Sequence, residues 1–322
     1  MIAATMLVFA ATEATPGSVA RKILGQYASE QQVEILKETL NLNDPAPVRY
    51  LRWAGVALGV IPDPLSGEKA RKLGFDENRG GQYFGNFGYS QLYKLPVTDV
   101  LWSRLLNSLW LAGIAFAIIV PLSIVLGVIA GMNEGGKVDR IISLGSMITT
   151  SIPEFAWAIF LIAVFAVAWQ MLPGTSPLSG GGWSTASQMI LPVAVLVLVD
   201  FGYVARMVRA AVVEVMERPY IRTAVLKGLS TREVVVRHVL RNAMIAPFTI
   251  ILLQINFLIT GVVVTEVAFA YPGFGRMLLE AALFGDIAII EAATLVAVVI
   301  AISTQLLGDV GYMLLNPRIR VS

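Results

Sequence analysis

Apolar residues run in five long stretches along the chain, and shorter polar or charged segments separate them. A helix needs about 20 mostly apolar residues to cross the hydrocarbon core of a membrane, and every stretch reaches that length. The pattern therefore predicts an all-α integral membrane fold with five complete spans. These predicted spans lie at about 105–131, 141–171, 188–213, 243–268 and 287–315.

Four prolines fall inside these stretches or at their ends, at Pro121, Pro153, Pro192 and Pro247. Spanning helices tolerate proline where neighbouring groups satisfy the freed backbone. The prolines are therefore compatible with the predicted spans. The sequence GVIAG, residues 127–131, adds a G-x-x-x-G pattern, which is typical of helices in close contact.

The distribution of Lys and Arg predicts the orientation of the spans. Basic residues concentrate in 206–241 and in the tail 316–322, whereas 172–187 carries no charge. Loops on the cytoplasmic side carry the excess of Lys and Arg. We therefore place 206–241 and the tail in the cytoplasm and 172–187 and 269–286 outside. Counting back across the spans places residues 1–104 outside as well.

The first residues, MIAATMLVFAA, are apolar but reach only about half of a membrane thickness. They lack the basic start of a signal peptide. We interpret residues 1–17 as the remnant of a first spanning helix that begins before this sequence. A short uncleaved signal is the alternative. Residues 18–102 then form an extracytoplasmic segment, with a short amphipathic helix at 30–42.

Composition supports the membrane assignment. The 322 residues are 56% hydrophobic and 14% charged, with a mean hydropathy of +0.72. Soluble domains carry about 25% charged residues. A net charge of +2 gives no indication of a nucleic-acid partner. Because cysteine is absent, disulfides, thiolate metal sites and cysteine nucleophiles are excluded.

The stretch GMNEGGKV, residues 131–138, differs by one side chain from a phosphate-binding P-loop. Val138 stands where a Ser or Thr hydroxyl should reach Mg²⁺. A P-loop also connects a strand to a helix, whereas this stretch joins two predicted spans. We therefore predict a tight cytoplasmic turn at 132–140, held inside by Lys137 and Arg140, and no nucleotide site.

The loop between the third and fourth complete spans carries the signals of two short helices, in ERPYIRTAVLKGLSTREVVVRHVLRNAMIAP, residues 217–247. Pro219 suits the first position of a helix. Gly228 suits the left-handed residue that follows a helix. Ser230 and Glu233 form a capping box that starts a second helix. A basic loop that merely follows the orientation rule would explain the charge but not these signals.

The first of these helices is predicted to dock a cytoplasmic partner. Its residues Tyr220, Thr223, Ala224 and Lys227 are spaced to share one face. Ala224 is small enough to allow a close approach by that partner.

The segment YIRTAVLKGLSTREVVVRHVLRNAMIAP resembles the cytoplasmic loop of permease subunits of ATP-binding cassette importers. It resembles the dipeptide, oligopeptide and nickel group most, in which R-T-A-x-x-K-G-L-S precedes R-H-x-L-R-N-A. TEVAFAYPGFGRMLLEAALFGD, LLGDVGYMLLNPRIR and LVFAATEATPGS are similar to further segments of that group. The resemblance implies the transmembrane fold of type I importers, with a domain over 103–315 that contains a coupling loop at 214–242.

The resemblance also implies partners and a mechanism. Two homologous permease subunits form the pore in the lipid of a prokaryotic inner membrane, and a solute-binding protein delivers a peptide-like or related small solute outside. Two cytoplasmic ATPase subunits bind ATP and Mg²⁺, so this chain carries no cofactor and is not itself an enzyme. The residues that correspond to the coupling contact are Pro219, Tyr220, Arg222, Thr223, Ala224, Lys227 and Gly228.

Many importers of this class read Glu-Ala-Ala where this chain has Arg222, Thr223 and Ala224. A salt bridge made by that Glu is therefore not expected here.

Acidic side chains inside a membrane are costly and are candidates for function. Glu266 and Asp309 occupy positions that the resembling family also fills with acids, so we expect structural pairing or interface roles there. Glu154 stands where the family has a small polar residue, and Asp200 lies in the middle of a predicted span. These two are candidates for lining the translocation path and selecting a cationic or amine-bearing solute.

Two other interpretations carry less support from the sequence. His238 is the only histidine, and without nearby cysteines or clustered acids it does not predict a metal site. A stand-alone secondary transporter is the alternative function. That class usually shows internal repeats and buried sites for a coupling ion, and the sequence shows neither.

Overall fold

The computed structural model describes residues 6–7, 9–10, 29–39, 43–62, 85–90, 92–178, 185–260 and 262–315. Helices dominate these ranges, and the β-structure within them is one isolated bridge between Tyr89 and Pro96. The α-helices are α1 (Glu30–Thr39), α2 (Ala46–Ala57), α3 (Val97–Met132), α4 (Lys137–Ser151), α5 (Glu154–Leu161), α6 (Thr185–Met216), α7 (Pro219–Leu226), α8 (Thr231–Glu233), α9 (Leu240–Ala243), α10 (Ile245–Thr260), α11 (Val263–Ala268), α12 (Phe274–Phe284) and α13 (Ile287–Leu315). Two π-helical segments continue α5 and α8, at Ile162–Ala168 and Val234–Val239.

Three helices of the described ranges are long and apolar enough to cross a membrane on their own, namely α3, α6 and the Ile287–Gly308 part of α13. They contain the predicted spans 105–131 and 188–213 and most of 287–315. Pro121 lies inside α3 and Pro192 inside α6 without ending either helix.

The predicted span 141–171 is not one straight helix. It consists of α4 and α5 with its π-helical continuation, and the two parts meet at an angle of 98°. The break lies at Pro153, which has no N–H to donate and forces the preceding Ile152 into an extended conformation. Across the break, the Trp157 indole N–H donates to the Thr149 carbonyl oxygen at 3.0 Å.

A second bend of 59° separates Thr231–Ala243 from Ile245–Ile255, close to Pro247. If each bent pair forms one span, the described residues hold up to five spans, which is the number that the sequence predicts. The fourth would then begin at Thr231 and end at Ile255, whereas the sequence predicts 243–268. Of the predicted remnant 1–17, the structure describes only Met6, Leu7, Phe9 and Ala10, all helical; the tail 316–322 lies outside the described residues.

The chain divides into two compact units. The first unit comprises Met1–Asn107 and Gly273–Ile300, and its core joins the start of α3 to α12 and the start of α13. Two side-chain hydrogen bonds fix the segment before α3 onto this core: Tyr93 donates to Glu280 at 2.6 Å and Ser90 donates to Asp286 at 2.7 Å. Burial, together with the bond to Glu280, raises the pKa of Tyr93 well above its usual value.

The second unit, Ser108–Pro272 and Ala301–Ser322, is organised around α6. Helices α4, α5, α10 and α11 pack on α6, and α3 approaches it through the two glycines of GVIAG. A Cβ atom on Gly127 would lie 2.6 Å from the Ala205 carbonyl oxygen, and one on Gly131 would lie 2.7 Å from a Val212 methyl group. The predicted close helix contact at G-x-x-x-G is therefore confirmed.

Candidate functional site

Helix α7 is a separate short element with well-defined ends. Arg218 is extended, Pro219 occupies the first helical position, and the helix ends at Leu226. Gly228 then adopts a left-handed conformation with a φ of +80°. Its N–H donates to the Val225 carbonyl at 2.9 Å, and the next N–H donates to the Ala224 carbonyl at 3.3 Å. These two bonds form a Schellman motif, so the helix signals predicted at Pro219 and Gly228 are confirmed.

A capping box starts the next helix immediately after this turn, as predicted. The Glu233 N–H donates to the Ser230 hydroxyl oxygen at 3.3 Å, and the Ser230 N–H donates to the Glu233 carboxylate at 3.2 Å. Because the end of α7 and the start of α8 are each capped, the turn between them has a defined geometry.

The structure corrects which face of α7 is available to a partner. Ile221 is 2% exposed and Ala224 is 6% exposed, and both pack in an apolar cluster with Val208, Val234 and Val239. Ala224 therefore lies on the inner face, and the predicted shared face of Tyr220, Thr223, Ala224 and Lys227 is wrong in this respect. The small side chain allows α7 to lie close to the other helices of its own chain.

The outer face of α7 consists of Arg222, Thr223 and Leu226, with Tyr220 and Val225 at its edges. Leu226 is 79% exposed, which is the largest exposure of any large hydrophobic residue in the described chain. The sequence reasoning missed Leu226. Its position opposite Ile221 and Ala224 on the helix was the available signal, because the buried pair fixes which side faces outward.

The turn that resembles a P-loop is held by an ion pair between helices. The Arg209 guanidinium on α6 binds both Asp139 carboxylate oxygens, at 2.5 and 2.6 Å, and the Gly135 N–H donates to the same carboxylate at 2.9 Å. Helix α3, and not a strand, precedes this turn. The stretch thus serves as a helix–helix connection.

Nearby, Arg206 donates to the Ser146 carbonyl oxygen at 2.9 Å and to the Thr150 hydroxyl at 3.0 Å. From the sequence, Arg206 and Arg209 are only two of the basic residues that predict the orientation of the spans. In the structure both side chains fasten α6 to α4.

Replacing Asp139 by Ala is expected to destabilise the protein by about 2–3 kcal/mol. This loss does not exceed the lower end, about 3 kcal/mol, of the cost of breaking a buried ion pair, because Arg209 keeps part of its solvent contact. Thermal unfolding of the purified protein measures the loss. Glu214→Ala is the matched control, since Glu214 pairs with Arg218 on the surface of the helix end. This control should lose only about 0.3–0.5 kcal/mol of stability, as exposed ion pairs on helices do. Equal losses in the two variants would contradict a structural role for the Asp139 pair.

The four acids singled out in the sequence have different environments. Glu266 is fully buried and accepts a hydrogen bond from the Ser108 hydroxyl, as expected for a structural acid. Asp309 lies in α13, and its side chain is outside the described residues. Glu154 and Asp200 come from different helices, and their carboxyl groups lie close enough to interact.

Comparison with known proteins identifies the protein family. Residues 123–321 match the family described as binding-protein-dependent transport system inner membrane component. The chain belongs to this family. It is a permease subunit of an ABC importer and a multi-pass membrane protein, which confirms the predicted family and function.

Curated relatives match the permease along nearly its whole length. A probable peptide ABC transporter permease protein, y4tP of Sinorhizobium fredii, is 31% identical, with 98% of this chain and 93% of the relative covered. The glutathione transport system permease protein GsiC of Shigella flexneri is 32% identical, covering 98% and 93%. The oligopeptide transport system permease protein AppB of Bacillus subtilis is 30% identical, covering 99% and 95%.

Solved structures show the same fold. The permease resembles a chain of the MetNI methionine ABC transporter in inward-facing conformations, with a TM-score of 0.52 and 18% identity over 68% of this chain and 96% of that one. It also resembles a chain of an amino acid ABC transporter crystallised with histidines, with a TM-score of 0.52 and 15% identity over 67% and 94%. The predicted type I importer fold is therefore confirmed.

Proposed function

We propose that this permease forms half of the pore of an ATP-driven importer and receives the force of ATP hydrolysis through α7. The observation that supports this role is the exposed outer face of α7, a short helix whose two ends are well defined. Arg222 offers a charge and Leu226 an apolar side chain for insertion into a groove of an ATPase subunit. Pro219 and Gly228 define the helix ends, Ala224 seats the helix on its own chain, and Tyr220, Thr223 and Lys227 contribute around the contact.

ATP and Mg²⁺ bind in this proposal to two separate ATPase subunits in the cytoplasm. Closure of the ATPases pushes on α7, and α7 transmits the motion to α6 through the apolar cluster that holds Ile221 and Val208. The coupling loop 214–242 is then cytoplasmic and 18–102 extracytoplasmic, in a prokaryotic inner membrane. A second homologous permease completes the pore, and a solute-binding protein delivers the solute outside.

A peptide-like solute is proposed because the names of the curated relatives refer to peptides, oligopeptides and glutathione. These relatives match nearly the full chain, so the comparison extends to the whole pore-forming domain.

The test is reconstitution of the permease in liposomes, alone and with its ATPase, second permease and binding protein. We expect uptake of labelled tri-alanine only with the full complex and internal ATP, and we expect vanadate to inhibit it. A variant of the ATPase that binds but does not hydrolyse ATP is the matched control and should abolish uptake. Uptake by the permease alone, driven by an ion gradient, would contradict the proposal.

A further inference from the structure

Four helices of the second unit bring polar side chains together among apolar neighbours. Glu154 is the first residue of α5, directly after the break at Pro153, and Asp200 lies midway along α6. Gln254 on α10 is a hydrogen-bond partner of Asp200, and Thr265 on α11 is a partner of Glu154. Because these side chains come from four helices, the cluster depends on the tertiary fold.

The carboxylates of the two acids differ in how well their oxygens are supplied with hydrogen-bond donors. Glu154 accepts two hydrogen bonds on its Oε1 atom, from the Thr265 N–H at 3.0 Å and from the Thr265 hydroxyl at 2.5 Å. It also lies at a helix N-terminus, where the helix dipole favours a negative charge. Asp200 lies in a helix interior, has only 6% of its surface exposed, and its Oδ2 atom has no hydrogen-bond partner. A buried carboxylate oxygen without a donor is costly to keep.

No basic side chain of the described residues forms an ion pair with either acid. Arg206 lies further along α6, and its guanidinium donates to Ser146 and Thr150 on α4. Glu154 and Asp200 repel each other, the Oδ2 atom of Asp200 is a free acceptor, and neither acid has a positively charged partner among the described residues. A cation that carries N–H groups would balance the negative charge and donate a hydrogen bond to that oxygen.

The cluster is better suited to an organic ammonium group than to a metal ion. Within the described residues no group of three or more His, Cys, Asp or Glu side chains could hold a metal. A primary ammonium has one charge and three N–H donors, and two or three acceptors match it.

We infer that Glu154 and Asp200 form a subsite for the ammonium group of the transported solute, with Asp200 as the contacting acid. The inference rests on the proposed function, since it specifies the class of solute that passes through the pore. Thr265 holds the Glu154 carboxylate in place, and Gln254 does the same for Asp200. A solute with a free amino group would thus be favoured over its acylated form.

Glycinamide, a small cation with a free ammonium group, provides a direct test on the assembled importer without its binding protein. We expect saturating glycinamide to raise the midpoint of thermal unfolding by about 3 °C, because a ligand that binds only the folded state stabilises it. N-acetylglycinamide, which is neutral, and sodium chloride at the same concentration should leave the midpoint unchanged.

Variants assign the effect to the subsite. Asp200→Asn should remove the response to glycinamide and Glu154→Gln should weaken it, while Gln at 154 can still accept the bonds from Thr265. Asp99→Asn, an exposed acid in the first turn of α3, is the matched control and should keep the full response. No shift with glycinamide, an equal shift with N-acetylglycinamide, or a full response in Asp200→Asn would overturn the inference. The uptake assay tests the proposed function separately, because this measurement needs neither ATP nor transport.

Discussion

Replacing Gly127 and Gly131 together by alanine is expected to remove a large part of the stability of the permease, although alanine is the better helix former. The added Cβ at Gly127 would lie 2.6 Å from the carbonyl oxygen of Ala205, and that backbone atom cannot rotate away. Overpacking of this kind costs about 1–3 kcal/mol at each site. Helices α3 and α6 would have to separate, which would also loosen the apolar clusters to which both helices contribute.

The measurement is thermal unfolding of the importer in detergent, followed by the tryptophan fluorescence of the complex. Gly113→Ala on the same helix is the matched control, because a Cβ there meets nothing within 4 Å. At that exposed helical position alanine should stabilise by up to about 1 kcal/mol. Because the two variants are expected to change stability in opposite directions, the comparison separates the effect of helix packing from that of helix propensity. A double variant as stable as Gly113→Ala would show that α3 and α6 do not approach this closely.

The helix ends in the loop 214–242 could be predicted because their signals are local. Pro219, Gly228 and the Ser230–Glu233 box each act within a few residues, and the structure confirms all of them. The face of α7 could not be predicted in the same way. Ala224 and Ile221 point inward because Val234 and Val239 pack against them, and those contacts exist only in the folded loop.

The prolines show a similar limit. Pro121, Pro153 and Pro192 all lie inside predicted spans, yet only Pro153 marks the end of a helix. The chain before Pro153 turns by 98° and is held by the bond from Trp157 to Thr149. Proline alone indicates where a helix can break, whereas contacts with the surrounding helices decide whether it does.

The acids illustrate how far sequence reasoning reaches into the candidate subsite. Glu154 and Asp200 were chosen because charge inside a membrane is costly. Their partners could not be chosen, since Thr265 lies 111 positions from Glu154 and carries no signal of its own. The open oxygen of Asp200 is likewise a property of packing and cannot be inferred from composition.

Replacing Leu226 by aspartate is expected to uncouple ATP hydrolysis from transport. In the proposed complex this side chain enters an apolar groove of the ATPase, and a carboxylate there would have to be desolvated without a partner. We expect uptake by the reconstituted importer to fall at least about tenfold, which corresponds to about 1.4 kcal/mol of lost contact energy. Because Leu226 is exposed in the permease, the substitution should not change how the permease folds.

Val138→Asp is the matched control for this substitution. Val138 is also an exposed aliphatic residue, but it lies in the first turn of α4, within the predicted cytoplasmic turn 132–140. The proposed contact belongs to α7, so Val138→Asp should retain ATP-driven uptake and a normal yield of complex. Co-purification of the ATPase with each variant separates loss of docking from loss of folding. If Leu226→Asp kept the ATPase bound and transported normally, the outer face of α7 would not be the surface that receives the force of ATP hydrolysis.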